Sequence, residues 1–223
     1  MSRSDDIRAN LAAVESRIAA ACQRAERKRE DVLLVAVTKV FPASDVEAAI
    51  VAGVTNVGEN KVQEARDKKP LVTSSATWHL IGHLQSNKAK DAVRLFDVIQ
   101  TVDSVDLATK ISRHAESAGK TQDVLLQVNA GNEEQKSGVD AKDVAALAKS
   151  VAALPSMRVA GIMAIPPAGE AETMRPYFRD LKKLRDDLGL EHVSMGMTDD
   201  FEVAIEEGST IVRIGRAIFG SRA

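Results

Sequence analysis

The sequence predicts a single α/β domain folded as a (β/α)₈ TIM-type barrel, and three observations carry that prediction. Eight short apolar segments, at 33–39, 55–59, 77–82, 97–102, 123–129, 158–164, 192–196 and 211–215, have the length and β-branched content of buried strands. Between them run helical patterns near 44–52, 60–68, 86–94, 105–118, 141–153, 171–188 and 200–206, many opened by Ser, Asp or Pro. The connections are short, so the alternation implies a parallel sheet, and eight strands suggest that it closes. An open doubly wound sheet is the alternative, but no Gly-x-Gly-x-x-Gly follows the first strand.

The first strand is preceded by a helix. Ile7, Leu11, Val14, Ile18, Ala21 and Cys22 recur at three- and four-residue spacing over 4–28, with Ser4 as the expected N-cap. Only residues 216–223 follow the eighth strand, too few for a full closing helix. The N-terminal segment, 1–30, is therefore expected to pack on the barrel and fill the vacant place in its outer ring. No linker-like, low-complexity or repeated segment interrupts the chain, so one domain is expected over 1–223.

Composition narrows the partners. Thirty Lys plus Arg against 32 Asp plus Glu leave a net charge of −2, which offers no general attraction to nucleic acid or anionic membrane. Aromatics make up 3% of the chain, which argues against stacking platforms for single-stranded nucleic acid. The one cysteine, Cys22, has no internal disulfide partner and suits a reducing compartment. No apolar h-region follows Met1-Ser2-Arg3-Ser4-Asp5-Asp6, and no stretch reaches membrane-spanning length. A cytoplasmic, monomeric protein without nucleic-acid or membrane partners is expected.

Barrel active sites lie at the C-terminal ends of the strands. Alternation on the first strand puts Val35, Val37 and Lys39 on the inner face, so an amine stands at its top. An amine delivered from a buried strand loses hydration, which lowers its pKa and allows condensation with an aldehyde. Gly58 and Asn60 share the inner face of the second strand, and Ile211, Arg213 and Gly215 that of the eighth. Arg213 then needs an acceptor inside the barrel; Glu59 is one candidate for an internal ion pair. Glycine-containing turns follow strands seven and eight, with Gly196 and Gly215. Their backbone N–H groups, including those of Gly215 and Arg216, together with the hydroxyls of Ser194 and Thr198, suit a phosphate. The group as a whole describes a pocket for a phosphorylated aldehyde. His79 and His83 alternate on strand three, as cofactor contacts, a proton shuttle, or simply bonded core histidines. No third ligand accompanies them, so no metal site is expected. Lys88 and Lys90 suit a solvated helix start, and Asp199-Asp200 a helix cap.

Several motifs closely resemble the pyridoxal phosphate homeostasis protein family: Ala36-Val37-Thr38-Lys39, Val57-Gly58-Glu59-Asn60, Trp78 to Lys88, Ser194-Met195-Gly196-Met197-Thr198-Asp199-Asp200-Phe201 and Arg213-Ile214-Gly215. The resemblance extends from the first strand to the C-terminus. It implies a barrel related to the N-terminal domain of alanine racemase. It also implies that Lys39 carries pyridoxal 5′-phosphate (PLP) as an internal aldimine, that Arg213 faces the pyridine nitrogen, and that the last two turns hold the phosphate. Family members often have Thr or Ser where Arg216 stands, so the backbone of Gly215 and Arg216 is the expected contact there. The implied role is intracellular PLP homeostasis, with PLP-dependent apoenzymes as possible recipients.

Catalysis is not expected. An arginine at the ring nitrogen favours the unprotonated ring and weakens it as an electron sink. A racemase also needs a second acid/base, which related racemases supply as a tyrosine from another domain; here Tyr177 falls on an outer-ring helix. A PLP enzyme acting on small amino acids and a cofactor-free Schiff-base aldolase are the alternatives.

Overall fold

The computed structural model describes residues 2–129, 137–167 and 169–220. Helix α1 (Arg3–Arg24) leads into β1 (Leu33–Val37), α2 (Ala43–Val51), β2 (Asn56–Glu59), α3 (Val62–Lys68), β3 (Thr77–Leu80), α4 (Ala89–Leu95), β4 (Val98–Val102), α5 (Val105–Ser117) and β5 (Gln122–Asn129). A two-residue strand β6 (Val139–Asp140) precedes α6 (Val144–Ala152), β7 (Met157–Ala164), α7 (Ala171–Asp187), β8 (His192–Ser194), α8 (Phe201–Glu206), β9 (Ile211–Ile214) and α9 (Arg216–Phe219). All strand pairs are parallel; β5 pairs with both β4 and β7, and β9 pairs with β1, which closes an eight-strand ring with β6 as an addition beside β5. The closed barrel is the expected one, and the open sheet is excluded by the β1–β9 pairing.

Alternation sorts the side chains. Leu34 and Ala36 of β1 join the large core between strands and helices, whereas Val35 joins an inner cluster with Leu125, Ala160, Met163 and Ile211. The strands stop slightly sooner than the apolar patterns do. Lys39, Asn60, Gly196 and Thr198 therefore stand in loops just beyond strand ends. Strand β6 had no sequence signal, because two residues carry no period.

Helix α1 takes the open place in the outer ring, packed against α2, α8 and α9. Its N-cap is Ser2 rather than Ser4: the Ser2 hydroxyl accepts from the Asp5 amide, and the Asp5 carboxylate accepts from the Ser2 amide at 2.9 Å. Arg3 donates to Asp45 of α2 at 2.6 Å and to the Phe219 carbonyl at 2.8 Å, and Asn10 donates to the Ile218 carbonyl at 3.0 Å. These bonds tie the first helix to the last carbonyls of α9. Among the described residues no helix is long and apolar enough to cross a membrane.

Ile18 of α1 is fully buried. Ile18→Ala should therefore destabilise the whole barrel by about 2–5 kcal/mol, read as a lower urea midpoint in a single transition. A loss below about 0.5 kcal/mol would show that α1 is not part of the cooperative fold.

Candidate functional site

A cavity of about 600 Å³ opens at the C-terminal ends of the strands, lined among others by Lys39, Asn60, Thr198, Arg213, Gly215 and Arg216. Six of the predicted site residues thus meet in one place. Ser194 and Gly196 are not in the lining.

Lys39 is half-buried and follows β1 in a tight turn, in which the Phe41 amide donates to the Thr38 carbonyl at 3.1 Å. Val40, the next residue, has φ of +65°, a conformation that normally takes glycine and is strained for a β-branched side chain. Three groups hold it. Lys68 of α3 donates to the Thr38 carbonyl at 2.8 Å, and the Val40 amide donates to Glu64 at 2.9 Å. Glu59, fully buried, accepts from the Thr38 hydroxyl at 2.6 Å and from Lys68 at 2.8 Å. Burial pushes the Glu59 carboxyl up, against the pull of Lys68 and Thr38. A lysine and two carboxylates thus brace the residues on both sides of Lys39. The possible Glu59–Arg213 ion pair is overturned, because Gly58 and Asn60 face inward on β2 and Glu59 consequently faces α3.

Arg213 lies across the cavity and is 4% exposed. It donates to the Ser194 hydroxyl at 2.6 Å and to the Ala164 carbonyl at 2.9 Å. Burial pulls its pKa down to about 10, so it stays cationic at neutral pH, with the Asp200 charge opposing the shift. Ser194 donates its only hydroxyl proton to Gln100 at 2.7 Å. It is therefore a buried support for Arg213, and the expectation that this hydroxyl serves an anion is corrected. Gly196 supports the same residue through its carbonyl, which accepts the Arg213 amide at 3.0 Å. With φ of +91°, and a Cβ that would lie 2.6 Å from that of Ala204, Gly196 can only be glycine here.

Gly215 begins α9, and the amides of a helix's first turn have no acceptor within the helix. Gly215 and Arg216 line the cavity, as does Thr198. The Arg216 guanidinium pairs with Asp199, so the side chain is occupied. Asp200 does begin α8, but its carboxylate turns back to accept the Met197 amide at 2.6 Å instead of capping the helix. Among the described residues the lining carries three cations, Lys39, Arg213 and Arg216, against one carboxylate, Asp199, and this balance favours an anionic ligand.

The two histidines part company. His79 is 2% exposed and bonded on both ring nitrogens, to Asn56 and Gln100 at 3.0 Å each, which makes it a core histidine. His83 is exposed on the cavity rim. The sequence reading did not single out Ile81, Gly82, Gln127, Ile165 or Met197, which also line the cavity. All stand at or just past strand ends, and applying the strand-end rule to every strand would have found them.

Lys68→Met leaves Glu59 buried without its counter-ion. A loss of about 3–5 kcal/mol is expected by urea unfolding, and much less when Glu59→Gln accompanies it. Burial holds the His79 pKa down to about 4. The unfolded chain binds that proton near pH 6.5, so the contribution of this group is complete above pH 6.5 and is lost as pH falls through about 4, at most about 3 kcal/mol. His79→Gln should flatten the stability profile in that interval.

Residues 9–223 match the family model described as alanine racemase, N-terminal domain. The chain is 42% identical over 220 residues to the pyridoxal phosphate homeostasis protein of Aquifex aeolicus, spanning 95% of this chain and 96% of that one. It is 41% identical over 231 residues to the protein of the same name from Escherichia coli K12, spanning 98% and 97%. The solved structure of PipY from Synechococcus elongatus PCC7942, with PLP bound, superposes with a TM-score of 0.84 at 33% identity, covering 96% of this chain and 100% of that one. An alanine racemase of Clostridium difficile 630 shares the fold at a TM-score of 0.71 and 15% identity, with 98% of this chain matched to 57% of the racemase. The chain belongs to the alanine racemase N-terminal domain family, among its pyridoxal phosphate homeostasis proteins.

Proposed function

We propose that this chain binds PLP at the C-terminal mouth of the barrel, holds it covalently through Lys39, and serves PLP homeostasis without sustained catalysis. The observation that carries this reading is the convergence on one cavity of an amine, a buried guanidinium and a helix-start edge suited to an anion. These groups fit PLP part by part: Lys39 for the aldehyde, Arg213 for the ring nitrogen, and the Gly215 and Arg216 amides with the Thr198 hydroxyl for the phosphate. The naming of the bacterial relatives and the PLP-bound PipY structure support the same ligand.

When bound, PLP supplies an aldehyde that condenses reversibly with primary amines and a ring that can withdraw electrons from the adduct. The chain's own groups limit that second property. Arg213 offers only donors, so a ring nitrogen facing it stays an acceptor, without the proton that would strengthen its pull. Asn60 stands beside Lys39 to orient the ligand, while Gly196 and Ser194 act behind Arg213. Tyr177 packs against the outer core on α7, away from the lining, so it supplies no acid or base to the cavity. These features favour storage over catalysis, and the reading extends to delivery to PLP-dependent apoenzymes by a monomeric chain in the cytoplasm.

Loading the protein with PLP and reducing it with borohydride should place the added mass on Lys39. Lys39→Ala should abolish that adduct while leaving the thermal transition intact, because the anion contacts come from other strands. An adduct that persists at another residue would sink the assignment. Arg213→Ala should weaken PLP retention at least about ten-fold, as measured by equilibrium dialysis. Transfer to an apoenzyme faster than release into free solution would support delivery. Steady turnover of small amino acids would favour the enzyme reading instead.

A further inference from the structure

Arg213 is one end of a chain of hydrogen bonds that crosses the barrel interior. Its members are Ser194 on β8, Gln100 on β4, His79 on β3 and Asn56 on β2, none more than 8% exposed. With the amide orientations of Gln100 and Asn56, the bonds have one consistent direction. A guanidinium can only donate, so the Ser194 oxygen accepts from Arg213 at 2.6 Å. The single Ser194 proton then goes to Gln100 Oε1 at 2.7 Å. That turns Gln100 Nε2, a donor, toward His79 Nδ1 at 3.0 Å, so Nδ1 is bare. The neutral imidazole must carry its proton on Nε2, which donates to Asn56 Oδ1 at 3.0 Å. Asn56 Nδ2 in turn donates to the Thr55 hydroxyl at 3.0 Å. Five bonds run one way, away from the cation.

We propose that Ser194, Gln100, His79 and Asn56 are positioning residues for Arg213, a one-way relay that fixes the roll of the guanidinium and hence which N–H edge it turns to the cavity. The relay and the Ala164 carbonyl together hold two corners of the guanidinium. Reversing any link would require two donors or two acceptors to face each other in a buried space, at the cost of an unmade bond. The roll of the Arg213 guanidinium is thus braced from the far side of the barrel. The consequence for a ring nitrogen rests on the PLP reading above; the relay itself does not.

The experiment has an arm with PLP and an arm without. In the protein without PLP, ¹⁵N spectra of the histidines should find His79 neutral with its proton on Nε2. Ser194→Ala should shift its Nδ1 resonance, and Ser194→Thr should restore it. Gln100→Glu replaces the donor to Nδ1 by an acceptor, so His79 should become protonated near neutral pH. In protein loaded with PLP, Ser194→Ala and Gln100→Glu should move the visible absorption band or its pH titration and raise the PLP dissociation constant about ten-fold, with Ser194→Thr near the parent. A His79 proton on Nδ1 in the unaltered protein would overturn the relay. So would variants that keep the parent band, titration and affinity within about two-fold. If one variant does not fold, the other reads the same quantities. Failure of the unaltered protein to take up PLP would count against the proposed function alone, since the tautomer judges the relay independently.

Discussion

A guanidinium buried inside a barrel is the constraint around which much of this interior is arranged. Arg213 keeps its charge at 4% exposure, and a cation removed from water needs every donor answered. Two of its donors are answered by the Ala164 carbonyl at the end of β7 and the Ser194 hydroxyl. Once Ser194 is used this way, it needs an acceptor of its own, and the demand passes to Gln100, His79 and Asn56. Four buried polar side chains inside the barrel are explained by one charge. Removing the polar group of any of them leaves a buried neighbour unsatisfied.

The outer face of β2 answers a second demand, the placement of Lys39. The turn after β1 contains Val40 in a conformation that costs on the order of 1–3 kcal/mol, so something must hold it. Lys68, Glu59 and Glu64 do so through bonds to the residues on both sides of Lys39. Strand β2 therefore serves the site twice: Asn60 stands in the lining, and Glu59 steadies the backbone from behind. The division follows from the two-residue period of a strand.

The first helix completes the ring mechanically and electrostatically. Its apolar stripe, from Ile7 to Cys22, covers the gap beside α2 and α8. Arg3, Asn10 and Arg27 donate to carbonyls of Phe219, Ile218 and Ile205, where α9 and α8 end. Cations and donors at helix C-termini are favourable in themselves. Since Gly215 and Arg216, at the start of α9, also line the cavity, the N-terminal helix helps to hold that part of the lining in place.

The sequence by itself determined the alternation of strand and helix, the closed barrel, and the inward faces that bring Lys39, Asn60 and Arg213 together. These follow from periods of 2 and 3.6, which are local properties of the chain. Tertiary structure alone decided the partners. Ser194 and Gln100 are bonded across 94 residues, and Glu59 turns to Lys68 instead of Arg213. A strand's period tells which face a side chain takes, but its neighbours depend on the register of other strands and on ring closure. That is why the inward position of Arg213 was legible in the chain, whereas the path of hydrogen bonds leading away from it was not.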